Sequence, residues 1–253
     1  IVATAVAVLV GGLVELVSSL DDCNDRMSAA VDNGRNLADS AEDYSSKSDR
    51  LKDVRKKYEE ITRSTDDAEK KGEELQKLQD QLIDQFGNMA RGIDLVTGSF
   101  DKQAKSIDGL ISKYDEMSDR EARRALTELQ NGQKESTAIS LDAMWFDGKT
   151  GAANEYFLQR AKAYGDFDDT LADYRGGTVY FSGTYEERAK KLTALYNDMV
   201  DKYIDTGNEA YNTIASRLET QIAELEQGAE ELKEANRRVY QSNTPTEQPN
   251  TTS

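Results

Sequence analysis

The sequence predicts an all-α protein, and three observations carry that expectation. Only two prolines occur among 253 residues, Pro245 and Pro249. Proline removes a helix donor and clashes with the preceding turn, so residues 1–244 are free to form long helices. Charged residues make up 32% of the chain and its mean hydropathy is −0.75. The apolar residues are nonetheless ordered in steps of three and four, a helical period that disordered chains lack.

Residues 1–20, from Ile1 to Leu20, form the first expected element, with Glu15 as their only charge. About 20 apolar residues at a rise of ~1.5 Å span a hydrocarbon core of ~30 Å. Val6, Val10, Gly11, Gly12 and Leu13 are the expected packing positions against lipid or other apolar helices, because small residues suit close helix contacts in membranes. A buried core helix is one alternative, and a secretory signal ending near Val17-Ser18-Ser19 is another. The start at Ile1, without methionine or a basic region, reads as a processed or truncated anchor. Residues 21–50 form an acidic helical stalk with eight acidic and four basic residues. Positive charge tends to stay cytoplasmic, so this flank places the body outside, in the periplasm or at the cell surface.

Residues 51–117 read as a first coiled-coil arm. Its seam runs from Leu51, Val54, Tyr58 and Ile61 through Leu82 and Phe86 to Ile107, Leu110, Tyr114 and Met117. Sixteen of the twenty seam positions are apolar, whereas the 37% composition would give about seven. The expectation is one continuous rod, with Thr65, Gly72, Gln79 and Gln103 as weak points and Gly72 as a bend. Flanking apolar residues such as Leu78 and Ile111 widen the stripe, which favours three or four helices packed together over a bare pair. Residues 185–240 read as a second arm packed antiparallel to the first. It follows a capping box at Thr184 and Glu187, and its pattern slips near Gly207. Residues 241–253 are polar and read as a disordered tail.

Between the arms, residues 118–184 read as a helical, glycine- and aromatic-rich connection. Ser118 and Glu121 resemble a capping box that starts a new helix, Asn131-Gly132 marks an interruption, and Thr178–Phe181 reads as extended. Ten of the nineteen aromatic residues fall between 145 and 185. Trp145, Phe146, Tyr156, Phe157, Tyr180 and Phe181 are therefore the candidate partner-binding residues, since aromatic side chains bring large area. The same residues could instead fill a small core that turns the chain around. Cys23 lies on the backward extension of the seam, where parallel pairing of two chains would bring two thiols together; a simple small packing residue is the alternative.

Several chemistries are excluded or unsupported. With no histidine and one cysteine, a Ser-His-Asp triad, a Cys-His dyad, a histidine-ligated zinc and an intrachain disulfide cannot form within the chain. A net charge of −16 without a basic stripe argues against nucleic-acid binding. Ala143–Thr150 (AMWFDGKT) is a poor phosphate loop because Trp145 and Phe146 crowd it. Asp166, Asp168, Asp169 and Asp173 lack the glycine of a calcium loop, with Leu171 in its place. Asn250-Thr251-Thr252 is a glycosylation sequon, and the residues around Cys23 make a poor lipidation site.

The functional expectation is a non-enzymatic, membrane-anchored extracytoplasmic structural or interaction protein: a spacer, tether or envelope assembly component. It would be oligomeric, with no cofactor, metal or small-molecule substrate. Residues 1–20 also resemble the N-terminal helices of pilin-like filament subunits, which implies a filament core, although Ala5 stands where bacterial pilins carry a glutamate. An α-helical pore-forming or membrane-remodelling protein is the third expectation.

Overall fold

A computed structural model describes residues 2–141, 148–164 and 178–242, excepting the side chains of 2–22, 178, 241 and 242. Among the described residues there are six α-helices and two short strands: α1 (Val2–Arg63), α2 (Ala68–Phe86), α3 (Phe100–Lys134), β1 (Thr137–Ser140), α4 (Gly148–Ala163), β2 (Thr178–Phe181), α5 (Tyr185–Thr206) and α6 (Glu209–Ser242). The predominantly helical class follows the proline-free, three-and-four pattern. The chain divides into two compact units, one of Ile1–Arg35 with Ala125–Tyr240 and one of Asn36–Arg124 with Gln241–Ser253.

In the second unit the seam residues are indeed the core. Leu51, Val54 and Tyr58 of α1 pack with Leu78, Leu82 and Phe86 of α2 and with Ile107 and Tyr114 of α3. The expected continuous rod over 51–117 does not form, because α1 ends at Arg63 and α2 at Phe86. Helices that fold back on each other need the same apolar period as one helix facing a partner, so the pattern is satisfied inside one chain. Asp67 caps α2 by accepting from the Lys70 amide at 2.9 Å. Gly72 does not break a helix; it lies within α2. Residue numbers rise along α1 as they fall along α3, through Ser118 Oγ donating to Ala41 O (2.7 Å), Lys52–Asp115 (3.8 Å) and Arg55–Asp108 (3.3 Å). The two helices are therefore antiparallel in this unit.

Ser118–Glu121 is not a helix start. α3 runs through it, the Ser118 hydroxyl serves Ala41, and the buried Glu121 pairs with Arg120 and Arg124. Nor does Asn131-Gly132 interrupt α3. Gly132 is there because a Cβ would lie 2.7 Å from Ala30 Cβ and closer still to the Tyr185 hydroxyl.

The first unit is built on α5 and α6. Thr184 and Glu187 form the expected reciprocal capping box at the start of α5. The pattern slip near Gly207 is a helix break: Gly207 takes φ 63°, a left-handed conformation that suits glycine, and its N–H reaches Tyr203 O. The resulting hairpin buries Leu192, Leu195 and Met199 with Ile214, Leu218 and Leu225. Against it pack Met27 and Val31 of α1, Leu129 of α3 and Phe157 of α4. The extended run Thr178–Phe181 is confirmed, and it pairs antiparallel with β1 in the register Thr137↔Phe181 to Ser140↔Thr178. A partner strand at 137–140 was not evident in the sequence.

Candidate interaction site

Tyr156, Arg160 and Tyr164 recur every four residues, which brings them to one face of α4. That face meets Asp198 on α5. Arg160 Nε and Nη2 donate to the two Asp198 oxygens at 2.7 and 3.1 Å, a bidentate pair that fixes orientation as well as charge. The Tyr164 hydroxyl donates to Asp198 at 2.6 Å and accepts from Arg160 at 3.1 Å. Burial works to raise the Asp198 carboxyl, but the Arg160 and Tyr164 hydrogen bonds outweigh it and hold the group below its ordinary range. The Tyr164 phenol is pushed up by its bond to Asp198 and then by burial, so it keeps its proton at neutral pH. Beside this cluster Tyr156 stands edge-on to Tyr211, with ring centroids 5.9 Å apart, and Lys202 Nζ lies 5.2 Å from the Tyr156 ring centre. The arrangement spends the Arg160 and Asp198 charges on each other. It ties α4 to α5 and leaves Tyr156 and Lys202 half-buried beside the pair.

The predicted aromatic residues separate into three groups. Phe157 and Phe181 are fully buried and belong to the core, which is the chain-turning role. Tyr156 and Tyr180 are half-buried and keep some surface. Trp145 and Phe146 lie outside the described residues, as do the phosphate-loop match, apart from its last three residues at the start of α4, the acidic group Asp166–Asp173 and the sequon. Val6, Val10, Gly11, Gly12 and Leu13 lie in α1, and their side chains are outside the described set. Cys23 is a partly exposed free thiol. Among the residues whose side chains are described, which leaves out 2–22, no helix is long and apolar enough to cross a membrane, and no three potential metal ligands cluster.

Sequence reasoning missed the polar side chains that hold irregular backbone. Arg188 is fully buried on α5. Its Nη1 donates to Glu135 O at 2.5 Å and Thr137 Oγ1 at 3.0 Å, and its Nη2 to Gln133 O at 3.3 Å. It thus satisfies carbonyls at the end of α3, where a cation also complements the helix dipole. Burial pulls its basicity below the usual arginine range, and Tyr185, 5.2 Å from the guanidinium to the ring centre, partly offsets that. In the second unit, Gln79 Nε2 donates to Ile93 O at 3.0 Å and Gln79 Oε1 accepts from Leu95 N at 2.8 Å. Gln103 accepts from Asp94 N at 3.0 Å. Asp94 in turn accepts from the Val96 and Thr97 amides and the Thr97 hydroxyl. The two glutamines read as seam defects are thus the clasps of the loop before α3. A polar residue at a helix's core position is the signal that marks such clasps.

A groove of about 520 Å³ runs between α5 and α6, with Ala189 and Ala229 among Glu186, Lys190, Glu230 and Lys233. No protein-family model, curated protein or solved structure matches the chain.

Proposed function

We propose that the protein is a structural or interaction protein, held by the apolar residues 1–20 with its helical body outside the cytoplasm, acting as a spacer, tether or envelope assembly component. One observation carries this reading. The apolar stretch is not a separate appendage but the beginning of α1, a helix of 62 residues whose later turns supply Met27 and Val31 to one core and Leu51, Val54 and Tyr58 to the other. Because residues 2–20 open the same helix that packs Met27 and Val31 into the first unit's core, the position of that apolar end is passed on to this unit, as a spacer or tether requires. The same continuity favours a second reading, a filament subunit in which residues 1–20 bundle with those of other copies.

Membrane fractionation of the full chain tests the first reading. The wild-type chain should float with lipid vesicles, and a variant carrying Val6→Asp, Val10→Asp and Leu13→Asp should remain in the aqueous fraction. A membrane-impermeant maleimide should label Cys23 on intact cells if the body is extracytoplasmic. A wild-type chain that never floats refutes the anchor. Filaments seen by electron microscopy in place of vesicle binding select the second reading.

A further inference from the structure

The stretch of α1 just beyond the apolar residues meets the strand pair through one helix face. Asn24 is the centre of that contact. Its Nδ2 donates to Ala138 O at 2.8 Å, and its Oδ1 accepts from Ala138 N at 3.0 Å. In the antiparallel register Ala138 stands opposite Tyr180, and its own peptide groups are turned to Asn24. The Asn24 amide therefore occupies the place of a peptide group on a third strand and closes the outer edge of β1. One turn on, the Met27 sulfur accepts from Thr137 Oγ1 at 3.7 Å and from Arg188 Nη1 at 3.6 Å. One residue before, Cys23 is near enough to Tyr180 to act on its phenol, which is held above its usual range first by burial and then by that thiol. Residues 23 and 24 precede Met27 by about one turn, and Met27 is packed in the α5–α6 core, so the part of α1 before Met27 can withdraw from Ala138 while Met27 stays in place.

The strand pair has four residue pairs, and two short strands alone are marginal in water. Its stability is borrowed from Asn24 on one side and from Arg188 at the entry to β1. We propose that this face of α1 and the β1–β2 pair form a two-state latch: closed, Asn24 covers the edge of β1; open, the Ala138 peptide groups are bared and the partly exposed Cys23 thiol becomes fully accessible, while the α5–α6 core stays folded. Linkage makes the device reciprocal. Whatever draws the N-terminal part of α1 away opens the strand edge, and whatever occupies that edge releases the helix. The latch does not depend on whether residues 1–20 enter a membrane.

Native-state amide exchange of the full wild-type chain in low urea reads the opening directly. The Ala138 amide should exchange at least about tenfold faster than that of Leu192, through an opening that exposes little surface and is therefore insensitive to urea. In Asn24→Ala, labelling of Cys23, the one thiol in the chain, should accelerate at least about tenfold with Leu192 exchange unchanged. Three results would overturn the latch: Ala138 and Leu192 of the wild type exchanging by one common global opening, unchanged Cys23 labelling in the variant, or Leu192 protection falling in step with it. Should Asn24→Ala not fold, the wild-type exchange pattern alone decides.

Discussion

Arg188 offers the sharpest test of how the first unit is held together. Replacing it with Met keeps an unbranched apolar stem and removes four donor contacts, to Glu135 O, Thr137 Oγ1, Gln133 O and the Met27 sulfur. Two opposed effects decide the outcome. Deleting a buried guanidinium recovers its desolvation penalty, several kcal/mol, which is why buried charges are often weak stabilisers. Against that, hydrogen bonds to a charged donor contribute about 1.5–3 kcal/mol each, and two partly buried carbonyls at the end of α3 lose their partner. The Thr137 hydroxyl rotates and recovers part of its loss. The balance is a destabilisation of about 3 kcal/mol, or a fall of about 1.5 M in the urea midpoint if the slope is about 2 kcal/mol/M. Arg188→Lys should lose less, about 1–2 kcal/mol, because an ammonium keeps the charge without reaching all four acceptors. Urea unfolding followed by circular dichroism measures both. If Arg188→Met unfolds within about 0.5 kcal/mol of the wild type, the view that Arg188 holds the end of α3 is refuted.

Other changes give equally direct readouts. Gln79→Leu should cost about 2 kcal/mol and release the Leu95 amide to fast exchange, since Ile93 O and Leu95 N both lose their partner; unchanged Leu95 protection would contradict the clasp. Gly98→Ala should destabilise by about 1–3 kcal/mol, because a Cβ would lie 2.7 Å from Gln103 Cγ and closer still to the Asp94 carbonyl oxygen. Gly72→Ala should stabilise by about 0.5–1 kcal/mol, because its Cβ meets nothing within 4 Å and the position is helical; thermal melts of the two glycine variants should move in opposite directions. The Asp198 carboxyl is depressed in the fold, so its contribution is present above the unfolded carboxylate value, about 3.9, and disappears as pH falls through the lower folded value. Asp198→Asn should therefore weaken the protein at pH 7 and lose that effect toward pH 2, whereas a pH-independent deficit would show that the carboxylate charge is irrelevant.

The helical class and most of the buried positions were legible because one apolar stripe is written the same way in any packed helix. Leu51, Val54, Tyr58, Leu82, Phe86, Ile107 and Tyr114 all proved to be core. What the period does not carry is whether the stripe faces another molecule or another part of its own chain. The breaks that decide this, at 64–67 and 87–99, contain no proline and are built instead from Asp67, Asp94, Gly98 and the two glutamines. Their meaning comes from partners 3 to 16 residues away. Thr184 and Glu187 were readable because a capping box closes within one turn. Strand β1 and Arg188 were not, because their partners stand 38 to 55 residues off. For the aromatic candidates, the alternation within pairs decided the outcome: Phe157 turns inward beside Tyr156, and Phe181 beside Tyr180.

The order of the segments along the chain has a consequence for synthesis. The second unit's core comes from residues 51–114, whereas the first unit joins residues before 36 to residues after 124, with contacts such as Ser28 to Glu224 reaching across 196 positions. A ribosome delivers the inner core complete while Met27 and Val31 still wait for α5 and α6. During that interval Met27 and Val31 remain uncovered on α1, beside an already apolar leading stretch, which is the moment at which a chaperone would find its handle.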